Sequence, residues 1–242
     1  MKTNKTLVLL LISFFALRSA FSQNFEGTLS YSVKMEVSEK MQKYGVTKEI
    51  LIEKMRKEGT WADTIFISYK NGNYIQQMGI NKFAWSVYSV DSNKLYSFQK
   101  GSDICTVINT SIDLEEEMFG TPPKISLLDT SVVINDLECS IVRVKWKSGY
   151  YDYYFNTLKN PISPEFYKLY KYDGWYEYLK IAKSLPIRIV KSNKGMMTIT
   201  MTLVNTSLHN VNDDLFKIPK LVYEKDLNIV PIKNRVIMRV IQ

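Results

Sequence analysis

The chain has 242 residues, 45% of them hydrophobic, and 32 basic against 24 acidic side chains give it a formal net charge of +8 at pH 7. The lysines are scattered along the sequence, and no nucleic-acid-binding motif occurs. Nucleic acid is therefore not expected as a partner, and the length suits one all-β domain.

The first 22 residues predict a signal peptide for export. Lys2 and Lys5 form a positive start, residues 7–15 form an apolar run, and Ala20-Phe21-Ser22 places small residues at the spacing that signal peptidase requires. The apolar run is shorter than the ~20 residues of a membrane helix, and no cysteine follows the signal for lipid attachment. We therefore expect cleavage before Gln23 and a periplasmic or secreted protein that is soluble after cleavage.

Apolar and polar residues alternate along most of the following chain, which predicts antiparallel strands joined by tight turns. The clearest alternation runs from Leu29 to Val37, and Asn71-Gly72 between two apolar runs is a strong hairpin signal. Strands are predicted at residues 29–37, 64–70, 74–78, 85–90, 95–99, 104–110, 125–134, 138–146 and 150–155.

Two segments in this part of the chain are predicted to be helical instead. Thr47–Glu58 places Ile50, Leu51 and Met55 on one stripe, which is typical of an amphipathic helix lying on a sheet. Asp113–Glu117 is an acidic run, but consecutive carboxylates do not converge on one point as a cation site requires. We interpret this run as the solvated start of a helix, and no metal site is predicted.

The segment Asn160–Ser184 interrupts the strands and is rich in aromatic residues. Ser163 followed by Pro164 is typical of a helix start, and Asp173-Gly174 can divide the segment into two short helices. On a helical projection its apolar side chains fall nearly all round, so it must bury apolar surface on more than one side. Two interpretations stay open: a plug that fills the core, and a lid over a lipid-sized cavity.

The stretch Leu185–Pro219 predicts a hairpin that closes the sheet, with its turn at Ser192–Gly195. The returning strand alternates apolar residues and threonine from Met197 to Leu203, so its apolar row is expected to face the aromatic segment. Residues predicted to line a ligand site come from residues 150–155, from the aromatic segment and from this row: Tyr151, Tyr153, Phe166, Tyr170, Trp175, Tyr176, Leu179, Met197, Ile199 and Met201.

Little in the sequence predicts catalysis. His209 is the only histidine and lies in a polar loop, and neither a Gly-x-Ser-x-Gly elbow nor a phosphate-binding glycine loop occurs. No enzyme activity, cofactor or metal is expected. Cys105 and Cys139 could form a disulfide in an oxidising compartment. The predicted strands that carry them have another strand between, a separation of ~9–10 Å that exceeds the ~7 Å limit for a bridge, so their pairing stays open.

The order of elements and three short motifs resemble the lipoprotein-localisation (Lol) carrier fold and its uncharacterised exported bacterial relatives. The motifs are Phe25-x-Gly27-x-Leu29-x-Tyr31, then Leu185-Pro186-Ile187, then Asp213-Asp214-Leu215-Phe216-Lys217-Ile218-Pro219. The resemblance implies a mainly β (α+β) domain over residues 23–219. It would be one curved antiparallel sheet of about eleven strands, an incomplete barrel, with helices on its concave face. Carriers of this fold hold acyl chains on that face.

The chain departs from this fold in three respects. No counterpart of the arginine that latches the lid of the carriers can be placed, and the cysteine that anchors receptor-like members to lipid is missing. Residues 220–242 extend past the usual end, and the alternation of Val236, Met238 and Val240 with their neighbours predicts an added edge strand.

Two functions from different classes are consistent with these observations. The first is an exported binding protein for a lipid or an acylated, lipoprotein-like ligand held between the curved sheet and the helices. The alternative is a non-enzymatic envelope scaffold or assembly protein that acts through contacts with an envelope protein. A concave cavity of roughly several hundred Å³ would favour the first, and a filled core would favour the second. A monomer is expected in either case.

Overall fold

The computed structural model describes residues 24–241, so the predicted signal peptide lies outside the described residues. In this range the chain forms one open sheet of 13 antiparallel strands. The strands are β1 (Gly27–Val37), β2 (Thr64–Lys70), β3 (Asn73–Met78), β4 (Ala84–Ser89), β5 (Lys94–Gln99), β6 (Ile104–Asn109), β7 (Lys124–Ile134), β8 (Leu137–Lys145), β9 (Gly149–Phe155), β10 (Arg188–Asn193), β11 (Met197–Leu208), β12 (Leu221–Tyr223) and β13 (Arg235–Val240). The α-helices are α1 (Glu39–Lys43), α2 (Lys48–Lys57), α3 (Leu114–Phe119) and α4 (Trp175–Ala182). Short 3₁₀ helices span Pro164–Tyr167, Tyr172–Gly174, Asp213–Phe216 and Lys225–Asn228.

The first strand lies near the middle of the sheet, whose order is β12-β13-β6-β5-β4-β3-β2-β1-β11-β10-β9-β8-β7. The register of β1 places Tyr31 opposite Ile65 of β2 on one side and Leu203 of β11 on the other. Because side chains alternate between faces along a strand, these residues form one apolar row across three strands. The returning strand of the C-terminal hairpin therefore joins the N-terminal strand in the centre of the sheet, not at an edge.

The mainly β architecture is confirmed, with 13 strands in place of about eleven. The difference comes from residues 220–242, which contribute two strands and not one. Strand β13 pairs with β6, and the three-residue strand β12 covers β13 and forms the edge.

The sheet curves around the aromatic segment. Tyr88 on β4 and Tyr153 on β9 are six strands apart in the sheet order, which in a flat sheet would separate them by roughly 29 Å. Three ring-to-ring steps nevertheless connect them: Tyr88 to Tyr167 at 5.6 Å, Tyr167 to Trp175 at 6.2 Å, and Trp175 to Tyr153 at 5.8 Å. The aromatic segment thus lies on the concave face, as predicted.

The chain after β11 covers part of the opposite face. Val211 is buried, and the 3₁₀ helix at Asp213–Phe216 packs against β3 and β4. A second apolar cluster follows, separate from the main core, in which residues of this segment pack on side chains of β5 and β6: Phe98, Cys105, Val107, Ile218, Leu221, Met238 and Val240. The C-terminal extension is therefore part of the folded domain.

Helix α2 begins after the cap residue Thr47, close to the predicted start. Leu51, Ile52 and Met55 pack against the main core, whereas Ile50 is 55% exposed, so the apolar stripe is rotated from the predicted one. Among residues 24–241, no helix is long and apolar enough to cross a membrane.

Both cysteines are free and buried. Eight strands lie between β6, which carries Cys105, and β8, which carries Cys139, so the predicted separation by a single strand is wrong. The two residues belong to different apolar clusters. Burial raises the pKa of the Cys105 thiol to about 12 and also raises the pKa of Cys139, which makes both thiols poor nucleophiles.

Candidate functional site

The segment Asn160–Ser184, here called the plug, leaves the sheet after β9 and returns to it before β10. Its two ends are held together at a clasp. Pro161 forms a bridge with Ser184, the Ile162 N–H donates to the carbonyl of Lys183 at 3.0 Å, and the Leu185 N–H donates to that of Asn160 at 2.9 Å. The plug is therefore a closed excursion whose ends meet at one place on the sheet.

Inside the plug, the predicted division at Asp173-Gly174 is confirmed. Asp173 and Gly174 both have left-handed backbone angles, with φ of 59° and 65°, and α4 begins at Trp175. Ser163 caps the first 3₁₀ helix by accepting from the Glu165 N–H, as its position before a proline predicted. Three short helical pieces, Pro164–Tyr167, Tyr172–Gly174 and α4, present aromatic side chains in more directions than one helix could.

Stacked rings attach the plug to the concave face. Tyr178 stacks on Tyr153 with 4.5 Å between ring centroids, and Tyr167 stacks on Tyr88 at 5.6 Å. One plug glycine allows this approach, because a Cβ on Gly174 would lie 2.5 Å from Val144 Cγ1. The plug fills most of the concave face with rigid aromatic surface.

The tip of the plug is latched to the far half of the sheet. The N–H groups of Lys171 and Tyr172 donate to the carbonyl of Thr110 at 2.8 and 3.0 Å. The side-chain amide of Asn93 donates to the carbonyl of Leu169 at 3.1 Å. Neither Thr110 nor Asn93 was identified from the sequence, because only the sheet order brings the end of β6 and the β4–β5 turn to the plug.

A small cavity of about 90 Å³ remains between plug and sheet. Four of the predicted lining residues face it: Tyr153, Tyr170, Trp175 and Met201. Met201 and Trp175 thus share a gap. The other predicted residues lie elsewhere. Tyr151 lines a neighbouring cavity, Leu179 is buried in the main apolar core, and four partly buried residues pack against that core: Phe166, Tyr176, Met197 and Ile199.

The cavity also has polar walls that the sequence did not predict. Lys191 and Asp173 line it and form an ion pair at 2.7 Å, while Tyr69 and Gln76 line its other side. Burial disfavours the charged form of Lys191, but the Asp173 carboxylate outweighs this effect, so the pKa of Lys191 is raised. Lys191 also lies over the ring of Tyr151, 4.6 Å from its centroid.

One of the missed residues had a readable signal. Tyr69 and Tyr74 flank the Asn71-Gly72 turn, and a two-residue hairpin fixes them as a cross-strand pair on one face. The hydroxyl of Tyr74 hydrogen bonds with that of Tyr170 in the plug at 2.7 Å. No pattern in the sequence indicates the role of Lys191, because only the folding of the plug onto the sheet brings Asp173 to within 2.7 Å of it.

The plug carries most of the unpartnered buried polar atoms of the described chain. Within residues 24–241, five buried side-chain polar atoms have no hydrogen-bond partner, and four of them belong to Asn160, Tyr167, Trp175 and Ser184. Each such group costs ~1–3 kcal/mol when buried. Asn160 and Lys183 at the clasp also have left-handed φ angles of 48° and 50°, a conformation that is strained for lysine. The closed position of the plug therefore carries an unfavourable free energy from its unpaired polar groups and its strained backbone, which its other contacts with the sheet must offset.

Other sequence interpretations are resolved by the fold. Asp113 caps α3 as the start of a helix, but it is buried and not solvated, and it accepts from the Trp146 indole N–H at 3.1 Å. Burial raises the pKa of this carboxyl. His209 is exposed. Among residues 24–241, no group of three or more histidine, cysteine or acidic side chains is arranged to hold a metal ion.

No family model and no curated protein matches the chain. Among solved structures, the chain is similar to PNGF-II, with 11% identity and a TM-score of 0.42 over 79% of this chain, but it spans only 30% of the length of that protein. It is also similar to the LolA superfamily protein NE2245 from Nitrosomonas europaea, with 10% identity, a TM-score of 0.34, and coverage of 82% of this chain and 92% of that one. A DUF1329 family protein from Desulfovibrio piger gives 10% identity and a TM-score of 0.24 over 84% of this chain and 94% of that one. A LolA superfamily protein is thus among the similar structures, as the sequence resemblance predicted. The proposals below rest on the geometry of this chain alone.

Proposed function

We propose that this protein binds a hydrophobic, acyl-chain-bearing ligand on the concave face of its sheet, in space that opens when the plug moves. The observation that carries the proposal is the plug itself. It covers an aromatic concave face, closes at one clasp, and holds unpartnered polar atoms of Tyr167 and Trp175 and left-handed residues at its ends. A segment held against such costs needs less free energy to open than one whose polar groups are all paired.

The small volume of the cavity means that a ligand can bind there only after the plug has moved. Its volume of about 90 Å³ is far below the ~300–1,000 Å³ of ordinary ligand pockets. An acyl chain therefore enters only as the plug leaves, and the apparent affinity depends on the population of the open form. The apolar residues Met201, Ile189 and Ile67 line the cavity and supply the wall against which a chain would lie.

The latch residue Asn93 offers a direct test. Replacing Asn93 by glycine keeps the left-handed backbone, whose φ is 49°, and removes the amide N–H that donates to the plug tip. It also removes the Oδ1 that accepts from the hydroxyls of Tyr88 and Thr110. We expect Asn93→Gly to bind dansylated undecanoic acid severalfold more tightly than the wild-type protein, since one hydrogen bond contributes ~0.5–1.5 kcal/mol to closure. Asn71→Gly, with the same φ of 49° at another turn, is the matched control and should bind like the wild type.

The proposal would be contradicted if neither variant nor the wild type binds the probe and native mass spectra of gently purified protein show no lipid. Equal binding by Asn93→Gly and wild type would show that the plug is not the barrier. Binding is proposed here without any catalytic step.

A second function, the envelope scaffold, is favoured by a different observation. Strand β7 is 11 residues long and forms one edge of the described sheet, and it exposes Leu127, Val132 and Val133. Long, apolar edges pair readily with a strand from another protein. The filled concave face is also the arrangement that this function would require. Val133→Lys should abolish capture of an envelope protein by crosslinking if the edge is used, and should leave fatty-acid binding unchanged.

A further inference from the structure

Four lysines that are scattered in the sequence lie together at one end of the sheet. They surround a groove of about 450 Å³ whose remaining walls include Phe119, Pro122 and Trp146, and the lysines are Lys124, Lys145, Lys147 and Lys194. The sequence suggested that no face would collect lysines. The fold collects them because the start of β7, the end of β8 and the β10–β11 turn meet at this end.

The positive charge of this groove is only partly offset within the described chain, because Glu115 is the one carboxylate among the lining residues and four lysines stand against it. All four lysines are exposed, and none lies within 4.0 Å of a carboxylate oxygen in residues 24–241. The register places Lys124 directly opposite Lys145, an arrangement of like charges that destabilises a sheet. Lys147 lies over the Phe119 ring, 5.4 Å from its centroid. A groove with lysines at its edges and apolar side chains at its base is complementary to a ligand with an anionic head and an apolar tail.

An intermediate cavity adjoins both the groove and the small cavity beneath the plug. That cavity has a volume of about 160 Å³ and shares Glu115 and Trp146 with the groove. It shares Asp173 with the small cavity beneath the plug. Three adjoining spaces, separated by shared side chains, therefore lie in a row between the surface and the concave face.

The intermediate cavity has the opposite charge to the groove. Asp113, Glu115 and Asp173 line it, and Glu115 Oε2 is buried with no partner among the described residues. Asp173 is compensated by Lys191 at 2.7 Å, whereas Asp113 accepts only neutral N–H groups. The groove has four lysines against the one carboxylate of Glu115, whereas the intermediate cavity has three carboxylates and no lysine among its lining residues. An anionic head would therefore stay in the groove while an apolar tail passes inward.

We propose that the lysine-rimmed groove binds the anionic head of a single-chain amphiphile and forms the port through which its tail reaches the plug. The tail's destination rests on the function proposed above, while the head site depends on the groove alone. The chemistry required is a carboxylate or phosphate joined to an acyl chain.

The experiment is calorimetric titration of the full chain with monododecyl phosphate below its micelle concentration, with dodecyl maltoside as the neutral amphiphile and inorganic phosphate as the free anion. The test variant is Lys145→Glu/Lys147→Glu. The matched control is Lys94→Glu/Lys100→Glu, two exposed lysines outside the groove that give the same change of net charge.

We expect wild type and control to bind monododecyl phosphate with affinities within about twofold, and the test variant to bind at least about tenfold more weakly. Binding should weaken as salt rises, and inorganic phosphate should compete poorly because it lacks the tail. Circular dichroism of the test variant should match that of the wild type.

Three results would overturn the inference: equal loss in the control variant, full competition by inorganic phosphate, or binding to anionic vesicles without binding to the monomeric amphiphile. If dodecyl maltoside binds but the groove variant has no effect on monododecyl phosphate, the port is wrong and the proposed function stands. If neither amphiphile binds, the proposed function fails with it.

Discussion

Two segments cover apolar surface on opposite faces of this sheet, and they are held in different ways. The plug contacts the concave face through stacked rings, and within the described chain it contains four of the five unpartnered buried polar atoms. The C-terminal segment 209–241 contains none of them and joins the ladder through β13. In this segment the Arg239 guanidinium donates to the carboxylate of Glu224 at 2.8 Å, and the Val240 N–H donates to the backbone carbonyl of Asp103 at 2.7 Å.

This difference teaches that burial of apolar area does not by itself decide which part of a fold is fixed. Ladder hydrogen bonds satisfy the backbone of β12 and β13 along their length. The plug joins the sheet through stacked rings and a few backbone hydrogen bonds at its tip. We therefore interpret the C-terminal segment as a permanent cover and the plug as a movable one.

The largest expected effect comes from alkaline pH and concerns the plug side. Burial raises the pKa values of Tyr31, Tyr74, Tyr153, Tyr167 and Tyr178 well above the usual range. Above pH ~10 the unfolded chain loses these protons while the folded chain keeps them, so the free energy of unfolding falls as pH rises. Each pKa unit corresponds to ~1.4 kcal/mol per tyrosine. Tyrosinate absorbance and far-ultraviolet circular dichroism should change together, and gradual ionisation with unchanged dichroism would contradict the account.

Removal of residues 221–242 tests the permanent cover. This truncation exposes Phe98, Cys105 and Val107. The free energy of unfolding should fall by ~3–6 kcal/mol, at ~1.5–3 kcal/mol for each of the two large side chains, Phe98 and Val107. Cys105 should then react with a thiol reagent without denaturant. Cys139, in the main core, is the internal control and should stay protected. Protection of both thiols in the truncated protein would show that the segment is dispensable.

Substitution of Gly174 by alanine tests the contact between plug and sheet. The new Cβ would lie 2.5 Å from Val144 Cγ1 at a φ of +65°, so both overpacking and backbone strain contribute, for ~2–4 kcal/mol. Gly101→Ala is the matched control, because its φ is +80° and nothing lies within 4 Å. Chemical denaturation should give a clearly larger loss for Gly174→Ala, and equal losses would mean that the plug does not press on Val144.

The smallest expected effect is an increase in the free energy of unfolding. Lys183→Gly removes the left-handed strain at the clasp and should stabilise the protein by ~1 kcal/mol. Lys82→Gly relieves a similar φ of 47° in the β3–β4 turn and should give a comparable gain in thermal unfolding. Only Lys183→Gly should also weaken binding of dansylated undecanoic acid, because only it favours the closed plug. Equal effects of the two variants on binding would contradict a hinge at the clasp.

Local patterns in the sequence predicted most elements to within a residue or two. The strand at 64–70 and the Asn71-Gly72 hairpin are local features, since a two-residue turn fixes the register of the strands around it. The pairings β1–β11 and β6–β13 join distant parts of the chain, and no periodicity reports which strands meet. The alternation within the C-terminal extension therefore predicts a single edge strand, whereas the extension forms both β12 and β13.

In the candidate site, too, features that are local in sequence could be predicted, and features that depend on distant strands could not. The sequence predicts that the apolar row of β11 faces the aromatic segment and leaves open whether Met201 and Trp175 touch or face a gap. In the structure the two residues line one cavity. The Thr110 latch and the groove around Lys124 and Lys194 arise only when distant strand ends meet. The sequence contained these residues without any local signal that they act together.

The most direct test of the movable plug is amide hydrogen exchange of the full chain, resolved by residue. Lys171 and Tyr172 of the plug, whose N–H groups bond to Thr110, should exchange through an opening that costs less free energy than opening of Val240 in β13. Dansylated undecanoic acid should increase exchange at these two plug amides and leave Val240 unchanged. Plug amides as protected as those of Tyr31 in the centre of the sheet, with or without the probe, would contradict the account.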